Sequence, residues 1–134
     1  MNRAGHLAEA EAMLKLVTQL SQDPDQRATA AEAVWGATVH ALSAADTEHE
    51  TTLTQPNVNH DAPNQKRTFL QAANRVANSN LPYSTLLACL DDNQGKLHTY
   101  FYHINLSNAA LSVSMIDGVA YVQRIIAAAQ AAGA

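Results

Sequence analysis

Apolar side chains return every three or four residues along most of this chain, the period of a helix with one buried face. In the first such stretch Leu7, Ala10, Leu14 and Val17 mark the stripe. Met13, Leu16 and Leu20 widen it, and Glu9, Glu11 and Lys15 take the opposite side. The pattern predicts a helix over about 4–20. Ser21-Gln22-Asp23-Pro24 ends it and starts the next. Asp23 is a good N-cap, Pro24 suits the first helical position, and Gln26 completes the spacing of a capping box. A second helix then spans 24–45, with Ala31, Val34, Trp35, Thr38, Val39, Leu42 and Ala45 on its apolar face. Gly36 inside it costs about 1 kcal/mol against alanine, which points to the close approach of another helix.

The segment 46–62 has no helical period and reads as a long loop, the kind that is functional or disordered. A third helix is predicted over 64–77, with Phe69, Leu70, Ala73 and Val76 inward. After the turn Asn78-Ser79-Asn80-Leu81-Pro82, a fourth spans 82–102. Leu86, Leu87, Leu90, Leu97 and Phe101 can share its face, while Asp91-Asp92-Asn93-Gln94-Gly95 weakens its middle and marks a kink or a break. Ser107 caps a fifth helix over 108–131. Strand-like alternation and internal repeats are both absent. The expected architecture is therefore all-α: one domain, 1–134, folded as an antiparallel up-down four-helix bundle with an additional short helix.

Composition agrees. Of the 134 residues 47% are hydrophobic, many of them alanine, and only 5% are aromatic. Such small side chains favour helices that pack closely over a sheet. Twelve acidic and eight basic residues leave a net charge of -4, which gives no general attraction to nucleic acid. The one short basic cluster, Lys66-Arg67 with Arg75, reads as a solvated helix face. The N-terminal stretch lacks the apolar core of a signal peptide. Asp117, Gln123 and Arg124 interrupt the most apolar helix, so no membrane association and a cytoplasmic location are the expectations. The single Cys89 lies in the apolar run Leu86-Leu87-Ala88-Cys89-Leu90 and reads as a small buried hydrophobe.

Two stretches carry a family resemblance. The first is Glu32-Ala33-Val34-Trp35-Gly36-Ala37-Thr38-Val39-His40-Ala41-Leu42. The second is Leu97-His98-Thr99-Tyr100-Phe101-Tyr102, followed by Leu106-Ser107 and Val119-Ala120-Tyr121-Val122-Gln123-Arg124-Ile125. In order and spacing, over about 27–126, they resemble the HEPN superfamily, in particular its PaREP branch. The resemblance implies a four-helix bundle that often dimerises. Many HEPN proteins are metal-independent ribonucleases whose site is an Arg followed four to six residues later by His. None of Arg3, Arg27, Arg67, Arg75 or Arg124 has a His at that spacing, and Tyr100 stands where the branch carries Asn. Among HEPN proteins the chain looks more like the non-catalytic members, which partner nucleotidyltransferases or bind nucleotides.

The candidate chemistry centres on histidine. His98 and Tyr102 are four residues apart on one helix face. With Trp35, His40 and Tyr100 they are the expected lining of one polar ligand-binding pocket in an apolar bundle. Histidine is the natural acid-base near neutral pH, so His98 and Tyr102 are also the candidates for catalysis. His98 and His103, five apart, diverge by about 140° around a helix. Asp46-Thr47-Glu48-His49 holds a single acidic-x-x-His spacing, where a di-iron bundle needs two Glu-x-x-His pairs. No metal and no cofactor are expected. His60 and Asp61, adjacent in the loop, are equally acid-base neighbours and an N-cap. Phosphate-binding glycine loops and nucleophile elbows are missing.

These readings point to a HEPN-like helical binding module, non-catalytic in the sense that the resemblance implies, working as a homodimer or as partner of a nucleotidyltransferase-like protein or a nucleotide. The alternative is a metal-independent ribonuclease or hydrolase with a non-standard site around His98 and Tyr102. The dimer is expected through the helix 108–131. Leu111, Met115, Val119, Val122 and Ile126 form one stripe there, and Val113, Ile116, Ala120, Tyr121 and Ile125 spread apolar surface beyond it.

Overall fold

The computed structural model of the protein describes residues 2–45 and 83–132. The expected loop 46–62, the helix 64–77, and with them His60 and Asp61, lie outside the described residues. Among the described residues every regular element is helical, and the all-α class stands.

Helix α1 is Arg3–Leu20. The Asn2 side chain caps it by accepting the Gly5 N–H at 2.8 Å, which satisfies one of the donors that a helix start leaves open. At the next junction the Asp23 carboxylate accepts the Asp25 N–H at 2.9 Å. Pro24–Gln26 then form a single 3₁₀ turn, and α2 is Arg27–Ala45. The helix expected from 24 thus begins with a tighter turn, as helix starts often do. The side chain of Arg3 donates to the Ala44 carbonyl at 2.8 Å, and His6 meets His40 at 2.9 Å. The two helices therefore run antiparallel.

Helix α2 is the centre of the fold. Twelve of its residues are buried, from Ala30 to Ala44, on nearly every side. Its alanines let neighbours come close, and its polar core residues are satisfied locally. Thr38 donates to the Val34 carbonyl and Ser43 to the Val39 carbonyl, each at 2.8 Å. A Cβ at Gly36 would stand 2.5 Å from the Met13 sulfur, so the glycine is where α1 closes on α2.

Helix α3 is Tyr83–Asp92 and α4 is Thr99–His103. Between them Asn93–His98, which overlaps the expected weak stretch 91–95, winds as a π-helix. The helix does not break there. Asn93, Gln94 and Leu97 are all buried, so the backbone widens and keeps them inside. The Thr99 N–H still reaches the Gln94 carbonyl. Helix α4 ends at Ile104, whose φ of 47° is left-handed and whose N–H closes onto the Tyr100 carbonyl at 2.8 Å. A β-branched residue seldom adopts that conformation.

Ser107 then caps α5, Asn108–Ala132, by accepting the Ala110 N–H at 3.1 Å. The inward face of α5 is Leu111, Ser114, Gly118, Val122, Ile125, Ile126, Ala128 and Ala129. Ile125, expected on the outer spread, is therefore in the core at 1% exposure. Val113 and Ile116, by contrast, are exposed. By length and composition Asn108–Ala131 is long and apolar enough to cross a membrane, with a mean hydropathy of 1.2. This differs from the sequence-based expectation, in which Asp117, Gln123 and Arg124 interrupt the helix.

A histidine held by a carboxylate among aromatic rings

Glu32, Trp35 and Gly36 occupy one side of α2, since residues three or four apart on a helix are neighbours. The last turn of the π-helical stretch brings His98 onto that side. His98 Nδ1 lies 2.8 Å from Glu32 Oε2 and 3.1 Å from Oε1. A carboxylate only accepts, so Nδ1 carries the proton, and in the neutral ring Nε2 is then the acceptor. The imidazole tilts over Trp35 with the ring centres 5.3 Å apart. Tyr102 meets it edge-on at 5.3 Å, and Phe101 meets Tyr102 edge-on at 5.0 Å. Trp35 is buried, while Phe101 is 37% and Tyr102 65% exposed. The row of rings thus runs from the core to the surface. Beside it is an apolar groove lined by Met13, Leu16, Ala33 and Gly36, with Glu32 and Phe101 at its edge.

Of the residues expected to share one pocket, Trp35, His98 and Tyr102 come together here. Tyr100 is buried in the hydrophobic core. His40 belongs to a different contact. It lies five residues beyond Trp35, about 140° around the helix, which turns it towards α1. Its Nδ1 meets His6 Nδ1 at 2.9 Å, the rings 5.2 Å apart. Such a bond needs one nitrogen protonated and the other bare. Burial lowers the pKa of His40 below its ordinary 6.5, the charge of His6 lowers it further, and Glu9 opposes both.

The sign of the resulting pH effect is fixed. The unfolded chain binds the His40 proton more tightly than the folded one, so stability rises with pH through this window. The contribution is fully present above about pH 6.5 and is lost as pH falls through the lowered folded value. Urea denaturation from pH 7.5 down to 5 is expected to show a falling midpoint, with a shallower fall in His40→Gln. Equal slopes in the two proteins would remove His40 as the cause.

Two residues of these contacts had no role in the sequence reading. Glu32 was visible as an acid one turn before Trp35 on an otherwise apolar face, and that is the signal that could have found it. His6 falls within the predicted first helix but outside its apolar stripe, yet it is 1% exposed. Cys89 is buried, and desolvation, with Asp92 adding to it, pushes its thiol up to about 12, so it is not a thiolate near neutral pH. Among the described residues no three His, Cys, Asp or Glu side chains gather as a metal would require.

No family model, curated protein or solved structure matches this chain.

Proposed function

We propose that this protein is a non-catalytic helical binding module, a HEPN-like up-down four-helix bundle that acts as a homodimer or as the partner of a nucleotidyltransferase-like protein or a nucleotide. The observation that carries the reading is the ring row ending in the exposed Tyr102. A planar ligand finds there a stacking surface beside the carboxylate-held imidazole, with an apolar groove alongside. Exposed aromatic rings beside a few fixed polar groups are what small-molecule and partner sites use. The motifs Trp35-Gly36-Ala37 and Leu97-His98 support the family reading, and Trp35, Gly36 and His98 among them build this surface.

Trp35 is the only tryptophan and lies against His98, so its fluorescence reports on the site. Titration with nucleoside mono- and triphosphates, and with a nucleotidyltransferase-like protein, is expected to change the emission saturably for at least one of them. Tyr102→Ala should weaken that binding by on the order of tenfold. No saturable change with any of these would sink the reading.

One observation favours the second reading, a ribonuclease or hydrolase. A histidine oriented by a carboxylate is how a general base is positioned. Cleavage of single-stranded RNA that disappears in both His98→Ala and Glu32→Gln would replace the binding module with that enzyme.

A further inference from the structure

The outer face of α5 has a regular pattern of its own. Val113, Ala120 and Ala127 recur at sevens, and so do Ala109, Ile116, Gln123 and Gln130, four residues before or three after them. These are the a and d positions of a heptad seam. All seven side chains are exposed, and the two largest apolar ones, Val113 and Ile116, are 60% and 70% exposed. The inward face of the same helix is a separate stripe, so the chain has already used its core-facing side. An apolar groove between α1 and α5, lined by Val17, Met115 and Val119, continues the outer face on one side.

The only two charges on α5 are Asp117 and Arg124. Both are exposed, and neither forms an ion pair among the described residues. They are seven residues apart, and both fall at position e, on the same edge of the seam. That arrangement discriminates between partners. In a parallel helix pair the e edge faces the partner's g edge. Here g is Ser112, Val119 and Ile126, which offers the charges nothing. In an antiparallel pair e faces e, and two opposite charges one heptad apart meet each other twice. Sliding by one heptad either way would set Asp117 against the partner's Asp117, or Arg124 against the partner's Arg124. The charges therefore select one direction and one register.

We propose that α5 pairs antiparallel with α5 of a second copy of this chain, with Asp117 against the partner's Arg124 and Ile116 against the partner's Ala127. In that register Val113 faces the partner's Gln130, and Ala120 faces the partner's Gln123. The large residues of the N-terminal half meet small or flexible ones of the C-terminal half, and the alanines let the helices close. The proposal rests on the homodimer reading above and assigns its interface. A lipid surface fits the face less well, because Asp117 would enter an anionic interface beside Ile116.

Sedimentation of the intact chain at micromolar concentration tests it, with Asp117→Arg, Arg124→Asp and their equimolar mixture. The unaltered chain is expected to be a dimer. Each variant alone sets like charges together twice and should dissociate at concentrations on the order of tenfold higher or more. The mixture should recover the dimer, because every contact then pairs Arg with Asp. These side chains are exposed, and circular dichroism would confirm that each variant folds. Ile116→Cys mixed with Ala127→Cys should form a disulfide-linked dimer on oxidation that neither forms alone. A dimer untouched by the charge changes, with Ile116→Cys cross-linking to itself, would overturn the pairing and leave the homodimer standing. A monomer would remove both. Co-sedimentation with phosphatidylcholine–phosphatidylglycerol vesicles in place of self-association would give the face to a membrane.

Discussion

Ile125→Glu is expected to destabilise the chain severely at neutral pH, by about 4 kcal/mol or more. The helix 108–131 is so uniformly apolar that its wheel does not say which way it faces, and Ile125 then reads as spare surface for a partner. In the fold it is 1% exposed and belongs to the hydrophobic core. An unpaired carboxylate there loses its hydration without gaining a partner, and it also removes apolar burial. The combined cost is about 4 kcal/mol or more, a large share of the roughly 5–15 kcal/mol that holds a domain together. Ile116→Glu makes the matched comparison. Ile116 is 70% exposed, and its substitution should move the stability of the isolated chain by only about 0.5 kcal/mol. Thermal unfolding followed by circular dichroism reads both. A cooperative, undiminished melt for Ile125→Glu would mean that α5 is turned the other way.

Gly118→Ala should destabilise the chain by about 1–3 kcal/mol, even though alanine is intrinsically better in a helix by about 1 kcal/mol. The added carbon would stand 2.7 Å from Asn93 Oδ1, 2.8 Å from Leu97 Cδ1 and 3.1 Å from Val34 Cγ1. Asn93 has little freedom to retreat. Its amide nitrogen donates to Thr38 Oγ1 at 2.9 Å and to the Gly118 carbonyl at 3.3 Å, so it ties α2 to α5. Its oxygen is buried without a hydrogen-bond partner among the described residues and lies against the bare Cα of Gly118. A weak Cα–H···O contact is what that geometry offers. Urea unfolding of Gly118→Ala, Asn93→Ala and the double variant should be non-additive, the double costing less than the sum. Gly95→Ala is the control: nothing lies within 4 Å of the added carbon, and no loss is expected. Additive costs at 93 and 118 would mean that the two residues do not share one contact.

The helices themselves were legible where local signals agreed. Asp23-Pro24 and Ser107 fixed two starts because a cap acts through its own neighbouring N–H groups. α1 was placed within one residue at its start, and α5 within one residue at its end. What the sequence could not give was rotation. On α2 nearly every face is buried, so periodicity carries no direction, and His40 was grouped with His98 although it turns to His6. The π-helical stretch was hidden for a related reason. Asp91, Asp92, Asn93 and Gly95 are poor helix formers by propensity, which reads as a break. The burial of Asn93, Gln94 and Leu97, a tertiary effect, holds them in a helix of another width. Glu32 was missed because an acid on a helix is usually solvated, and only the distance to His98 shows otherwise.

A π-helical stretch places one extra residue between a carbonyl and the N–H that answers it. Everything after Asn93–His98 is therefore turned back by about one residue's rotation, roughly 100°, relative to an uninterrupted α-helix. The stretch acts as an insertion absorbed in place, without a loop to contain it. Deleting Gly95, where an added side chain would meet no neighbour within 4 Å, restores the count of an ordinary helix. The two halves cannot then both keep their phase: either Asn93 leaves Thr38, or His98 and Tyr102 swing away from Trp35. The alignment of the ring row with α2 is in this sense a property of chain length between two anchor points.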